Sequence, residues 1–167
     1  MGDSDALLHL TMPPKATVVG DTVAMLIDAL APSRRGLRAQ QGEAAPPHDE
    51  LRLAVTEAIN NVILHSGHPV THPIHLTAGR DGLSAWVEIE DLGRPLPEAL
   101  LSPDRFADRM TLGSEDSAEP EDTDALSLDT LPEGGWGWML IHASVDGVRY
   151  HRRRSYNLLR LEKSFAP

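Results

Sequence analysis

The chain has 167 residues, 41% hydrophobic and 24% charged, which suits one ordinary globular core and argues against wholesale disorder. With 15 Lys and Arg against 25 Asp and Glu the formal net charge is −10, unfavourable for non-specific binding to nucleic-acid phosphates. The absence of cysteine excludes disulfides, thiolate metal sites and cysteine nucleophiles. No secretory leader or apolar membrane span is evident, so a cytoplasmic protein with no membrane partner is expected.

In chain order, residues 6–12 read as a short strand that ends at Pro13-Pro14. A helix is expected over 16–30, with Val19, Val23, Leu26, Ile27 and Leu30 recurring at helical spacing. Residues 34–47 are polar, with Gly and Pro, and read as a loop. A second helix is expected from His48 or Asp49 to His65, where Gly67 and Pro69 follow as stop signals. Strands over 74–78 and 83–90 are joined at Arg80-Asp81-Gly82, a hairpin signal. After a long insertion, Gly134 to Gly137 leads into a helix expected over 138–145, and strands over 148–152 and 156–162 form a last hairpin.

The insertion carries most of the charge. Between Glu98 and Glu133 there are eleven acidic residues and only two basic ones, Arg105 and Arg109. Rich in Pro, Ser and Thr, the segment cannot bury enough apolar surface to offset its ordering entropy. A flexible acidic lid over about 95–133 is expected, with a short helix over 103–110. The whole chain, 1–167, then reads as a single α+β domain: a two-layer sandwich of a mixed, mostly antiparallel sheet with helices on one face.

Three segments bear on chemistry. In the second helix, Leu51, Val55, Ala58, Ile59 and Val62 share one stripe, while Glu57 and Asn61 stack four residues apart on another face, with His65 one turn further. A carboxamide oxygen is a hard ligand suited to Mg²⁺, and a carboxylate one turn away can orient or deprotonate an attacking hydroxyl. Consecutive Asn60 and Asn61 in a helix interior are a mild cost to the fold, which favours a functional reading. In the second segment, Asp91 is in phase with Ala85, Val87 and Ile89, so it lies on the buried face of a strand end and needs donors there. The amino group of a purine would supply one, and Gly93 would allow close approach. In the third, Gly134, Gly135 and Gly137 stand before an apolar helix, where free N–H groups suit phosphate oxygens.

Taken in order, Glu57-x-x-x-Asn61, Asp91-x-Gly93 and Gly134-Gly135-x-Gly137 resemble the motifs of the GHKL superfamily, whose members include histidine kinases and gyrase-type ATPases. Leu51 to Asn61 and Gly137 to Val148 are similar to the RsbW-type anti-sigma-factor serine kinases, and the likeness runs from about Ala6 to Lys163. It implies a Bergerat-type ATP-binding fold, ATP or ADP with Mg²⁺ as cofactors, and transfer of the γ-phosphoryl group to a serine of a STAS-type anti-anti-sigma antagonist. It also implies a sigma factor as second partner and a homodimer formed through the sheet. Glu57 would be the general base, Asn61 the Mg²⁺ ligand and Asp91 the adenine-binding carboxylate, with Gly93 beside the ring. Gly135 and Gly137 would lie at the phosphates, and Asn60 and His65 would line the pocket.

One departure stands out. The family's Asp-x-Gly-x-Gly reads Asp91-Leu92-Gly93-Arg94-Pro95 here, with a proline where glycine is usual. It motivates an alternative, a non-catalytic binding module with a degenerate or structural nucleotide site. A stand-alone ATPase module of a signalling system is a third reading.

Overall fold

The computed structural model describes residues 5–31, 48–82, 84–102 and 135–164. The expected loop over 34–47, the short helix over 103–110, most of the acidic lid and Gly134 lie outside these residues. The elements are β1 (Asp5–Met12), a 3-10 turn (Ala16–Val18), α1 (Val19–Leu30), α2 (His48–His65), β2 (Ile74–Asp81), β3 (Ser84–Asp91), a second 3-10 turn (Glu98–Leu100), α3 (Gly135–Ser144), β4 (Gly147–Arg153) and β5 (Tyr156–Ser164). No described helix is long and apolar enough to cross a membrane.

The five strands form one sheet in the order β1-β2-β3-β5-β4. All four pairings are antiparallel, so the sheet has no parallel pair among the described strands. The chain leaves β3, returns through α3 to the outer strand β4, and closes with β5 beside β3. That crossover sets Asp91 directly opposite Asn157 in the β3–β5 register. Gly82, at φ +56°, makes the tight β2–β3 connection that the hairpin signal suggested.

The helices cover one face. Ile74, Leu76 and Ala78 of β2, Ala85, Val87 and Ile89 of β3, and Leu159 and Leu161 of β5 meet Leu51, Val55, Ala58, Ile59 and Val62 of α2 in a single core. α1 adds Val19, Val23, Leu26, Ile27 and Leu30, the stripe expected from its spacing. Each fully buried side chain of this size contributes about 1.5–3 kcal/mol of transfer free energy. α2 is the central helix, touching α1, α3, β3 and β5. Its first turn is tied to the sheet by Lys163 Nζ, 2.5 Å from Glu50 and 3.5 Å from Asp146. The hydrogen bond to Glu50, with Asp146 nearby, holds the Lys163 ammonium above the ordinary lysine range despite desolvation.

α3 differs from its expected bounds. It begins at Gly135, three residues before the expected start, so Gly135 and Gly137 belong to the helix and not to a loop preceding it. Glycine is a poor helix former, but the side of α3 that carries Gly137 lies close against the side chains of Glu57 and Asn61 of α2, where a Cβ would make tight contacts. The helical setting also separates two tryptophans that lie 200° apart around the axis: Trp138 is buried in the core, and Trp136 is 57% exposed.

Candidate functional site

The site is built where α2, α3 and the end of β3 converge. At its α2–α3 side, a Cβ added to Gly137 would lie 3.2 Å from Glu57 Oε2, 3.3 Å from Asn61 Nδ2 and 3.4 Å from Asn61 Oδ1. The carboxylate and the amide therefore share one face of α2, as their four-residue spacing requires, and α3 lays its side-chain-free position against both. Asn61 Nδ2 is buried and has no hydrogen-bond partner among the described residues. An orphaned buried amide costs about 1–3 kcal/mol, so the group calls for an explanation. Asn60 is half-buried but points about 100° away around the helix and is not among the nearest atoms to Gly137. His65 is exposed at the end of α2.

At the sheet side, Asp91 is 5% exposed. Both hydrogen bonds recorded for its carboxylate fall on Oδ1, one from the Gly93 N–H at 2.6 Å and one from Asn157 Nδ2 at 3.0 Å. Oδ2 accepts no hydrogen bond among the described residues. Gly93 is required by crowding: a Cβ there would lie 2.5 Å from Ser66 Cβ and 2.7 Å from Asp91 Oδ1.

The loop after Asp91 is braced throughout. The Leu92 N–H donates to His68 Nδ1 at 3.0 Å, the Gly93 N–H to Asp91, the Arg94 N–H to the Ser66 carbonyl at 2.7 Å, and the Leu96 N–H to the Tyr150 hydroxyl at 3.1 Å. Every N–H from 92 to 96 is paired, and Pro95 occupies the one position with no donor to satisfy. The proline departure from the family pattern therefore leaves no backbone donor unpaired. On the carbonyl side, Gly93 O accepts from Arg152 Nη1 at 2.8 Å and Asn157 Nδ2 at 3.2 Å, and Arg94 O accepts from Asn157 Nδ2 at 3.1 Å. Asn157 Oδ1 in turn accepts from the Tyr150 hydroxyl at 2.7 Å and Arg152 Nη1 at 2.8 Å. From α2, the His65 carbonyl accepts from Arg94 Nη2 at 3.1 Å.

The structure thus groups Glu57, Asn61 and Gly137 at one side and Asp91 and Gly93 at the other, joined by the end of α2. Sequence reasoning missed Ser66, His68, Tyr150, Arg152 and Asn157. Asn157 had one usable signal, since it is in phase with the core residues Leu159 and Leu161 of β5 and so belongs on the buried face. Arg152 is exposed, and its guanidinium donates to Gly93 O and Asn157 Oδ1.

Comparison with known proteins accords with this geometry. A family model described as a histidine kinase-like ATPase domain matches residues 22–163. The chain is 31% identical over 121 residues to the serine/threonine-protein kinase BtrW of Bordetella bronchiseptica, a match covering 70% of each chain. It also superposes on the structure of the RsbU and RsbW domains of Rv1364c from Mycobacterium tuberculosis with a TM-score of 0.54 at 14% identity. That match covers 94% of this chain and 32% of the other, and it shows a shared α+β fold. The family match spans both sides of the site, from within α1 to the end of β5, and the chain belongs to the histidine kinase-like ATPase domain family.

Proposed function

We propose that this protein is an Mg-ATP-dependent protein-serine kinase of the partner-switching type, which phosphorylates a STAS-type antagonist and alternately sequesters a sigma factor. The observation that carries this reading is the packing of Gly137 against Glu57 and Asn61, with the Asn61 amide buried and unpartnered. The fold family supports ATP as the nucleotide, and the likeness to BtrW supports a serine or threonine acceptor.

In this reading Asp91 Oδ2 accepts the adenine amino group, while Gly93 keeps the loop close beneath the ring. The first turn of α3, starting at Gly135, offers N–H donors to the phosphates. The carboxamide oxygen of Asn61 is a hard, neutral ligand of the kind Mg²⁺ takes, so Asn61 would hold the metal. A metal held by Asn61 would supply positive charge to offset that of the phosphates. Glu57 orients the acceptor serine and takes its proton as the serine oxygen bonds to the γ-phosphorus. The bond from that phosphorus to the β,γ-bridging oxygen breaks, and ADP leaves. Most of the acceleration comes from position and electrostatics, so small displacements of Glu57 are costly.

The alternative of a non-catalytic module draws on Pro95; the paired backbone around it supports an ordered loop there. A phosphotransfer assay with a STAS partner, Mg²⁺ and ATP tests the proposal. Phosphoserine on the partner, absent with Glu57→Ala, is expected. Tight nucleotide binding without transfer would favour the binding module, and transfer unaffected by Glu57→Ala would mean the base is misassigned.

A further inference from the structure

His68 joins α2 to the Asp91 loop through one ring in one protonation state. The ring is 7% exposed. Its Nδ1 faces the Leu92 N–H at 3.0 Å and its Nε2 faces the His72 carbonyl at 2.9 Å. A backbone N–H can only donate and a carbonyl can only accept, so Nδ1 must be bare and Nε2 must carry the hydrogen. Adding a proton at Nδ1 would set two donors against each other and orphan the Leu92 N–H. The ring is itself held in place: the His68 N–H donates to Ser66 Oγ at 3.1 Å, and that hydroxyl donates to the Val62 carbonyl at 2.7 Å.

We infer that His68 is a positioning residue for the nucleotide loop, working only as the neutral Nε2–H tautomer, so that protonation of this ring loosens Asp91 and weakens nucleotide binding. The inference rests on the reading that Asp91 holds the base. Leu92 stands between Asp91 and Gly93, the two residues whose hydrogen bond orients the carboxylate. Losing the bond at Leu92 therefore frees the segment that aims Oδ2.

Other groups near this ring also titrate or carry charge. His65 ends α2, His72 and His75 flank the start of β2, and Glu90 and Asp91 end β3. Arg94 follows in the loop, and Arg152 reaches in from β4. Any of these can tilt the pH profile, so the test compares variants at the one ring.

His68→Asn places an amide oxygen near the position of Nδ1, so it keeps an acceptor for the Leu92 N–H without titrating. His68→Leu removes acceptor and donor together. ADP affinity is measured by calorimetry for wild type and both variants at about pH 7.5 and about pH 5.5, either side of the ordinary histidine value. The ligand's own phosphate titration is common to all three and cancels between them.

Across that interval the wild type should lose about tenfold more affinity than His68→Asn, the equivalent of one net hydrogen bond. His68→Leu should be weak at both values, and its pH dependence should match that of His68→Asn. Equal pH dependence in wild type and His68→Asn would overturn the inference.

A wild type that binds no ADP at either pH would instead remove the nucleotide reading. The ring is then judged by nitrogen-15 NMR. A bare Nδ1 at the higher pH, with the Leu92 amide shift following the titration of the His68 ring, upholds the positioning role, and a Leu92 amide indifferent to that titration sinks it.

Discussion

The two sides of the site are built on opposite principles. Around Asp91 every backbone donor from 92 to 96 has a partner, and Asn157 alone ties β5 to the carboxylate and to two loop carbonyls. Around Glu57 and Asn61 the polar groups meet a glycine, and a buried amide nitrogen is left over. The braced side is preorganised, so a base that docks there pays little ordering entropy. The other side leaves the Asn61 Nδ2 donor without a partner among the described residues. In the proposed reading the braced end would hold the base and the unsatisfied end the phosphates.

The largest way to separate the two sides is through rate. Glu57→Ala should lower phosphotransfer by about 10²–10⁴-fold and leave ADP affinity within roughly threefold, since the group acts on the acceptor and not on the nucleotide. Steady-state rates and ADP titrations on the same preparation show whether that split holds. Parallel losses would place Glu57 in binding.

The next effect is on the braced side. Asn157→Ala removes partners from Asp91, Gly93 O, Arg94 O, the Tyr150 hydroxyl and Arg152. A loss of about 2–4 kcal/mol in urea unfolding is expected, with weaker nucleotide binding beside it. A change under about 0.5 kcal/mol would show that the loop holds its shape without this hub.

Asn61→Ala should act in the reverse sense on stability. It removes the orphaned amide and substitutes a better helix former, so unfolding should cost the same or up to about 1 kcal/mol more. Mg²⁺-dependent ADP binding should be lost in the same variant. Destabilisation by more than about 1 kcal/mol would mean that the amide has a structural partner after all.

The smallest effect lies outside the site. Lys163→Met should cost about 1 kcal/mol or less at neutral pH, as partly exposed ion pairs do. The folded chain holds this proton more tightly than the unfolded chain, so the stabilisation is present below the ordinary lysine value of 10.5 and fades as pH rises through the raised folded value. Unfolding curves on either side of that value should converge for wild type and variant at the alkaline end.

Much of this was legible in the residues. Period-2 alternation put Asp91 on the inner face with Ala85, Val87 and Ile89, and all four are buried. Helical spacing set Glu57 and Asn61 on one face of α2 and Leu51, Val55, Ala58, Ile59 and Val62 on another. What periodicity does not carry is contact at long range. His68 meets Leu92 across 24 residues, Arg152 meets Gly93 across 59, and Asn157 meets Asp91 across 66. Such bonds follow from strand order, here β4 outside β5, which no local pattern encodes. The helix start at Gly135 was missed because glycine signals a loop locally, whereas here Gly137 lies inside the helix and close to α2.

The measurement that tests the central claim most directly is the thermal stability of wild type and Asp91→Asn with ADP, with and without Mg²⁺. In Asp91→Asn one oxygen can still accept from Gly93 and Asn157, but the atom facing the ligand becomes a donor, so the loop should survive while base recognition fails. For wild type at about 100 times the dissociation constant, binding adds roughly 2.7 kcal/mol. For a chain of this size that amounts to roughly 5–10 °C. A shift of that order that grows with Mg²⁺ in wild type and is absent in an equally stable Asp91→Asn is expected. An unshifted wild type at millimolar ADP, or an equal shift in both proteins, would contradict the assignment of Asp91 as the residue that holds the base.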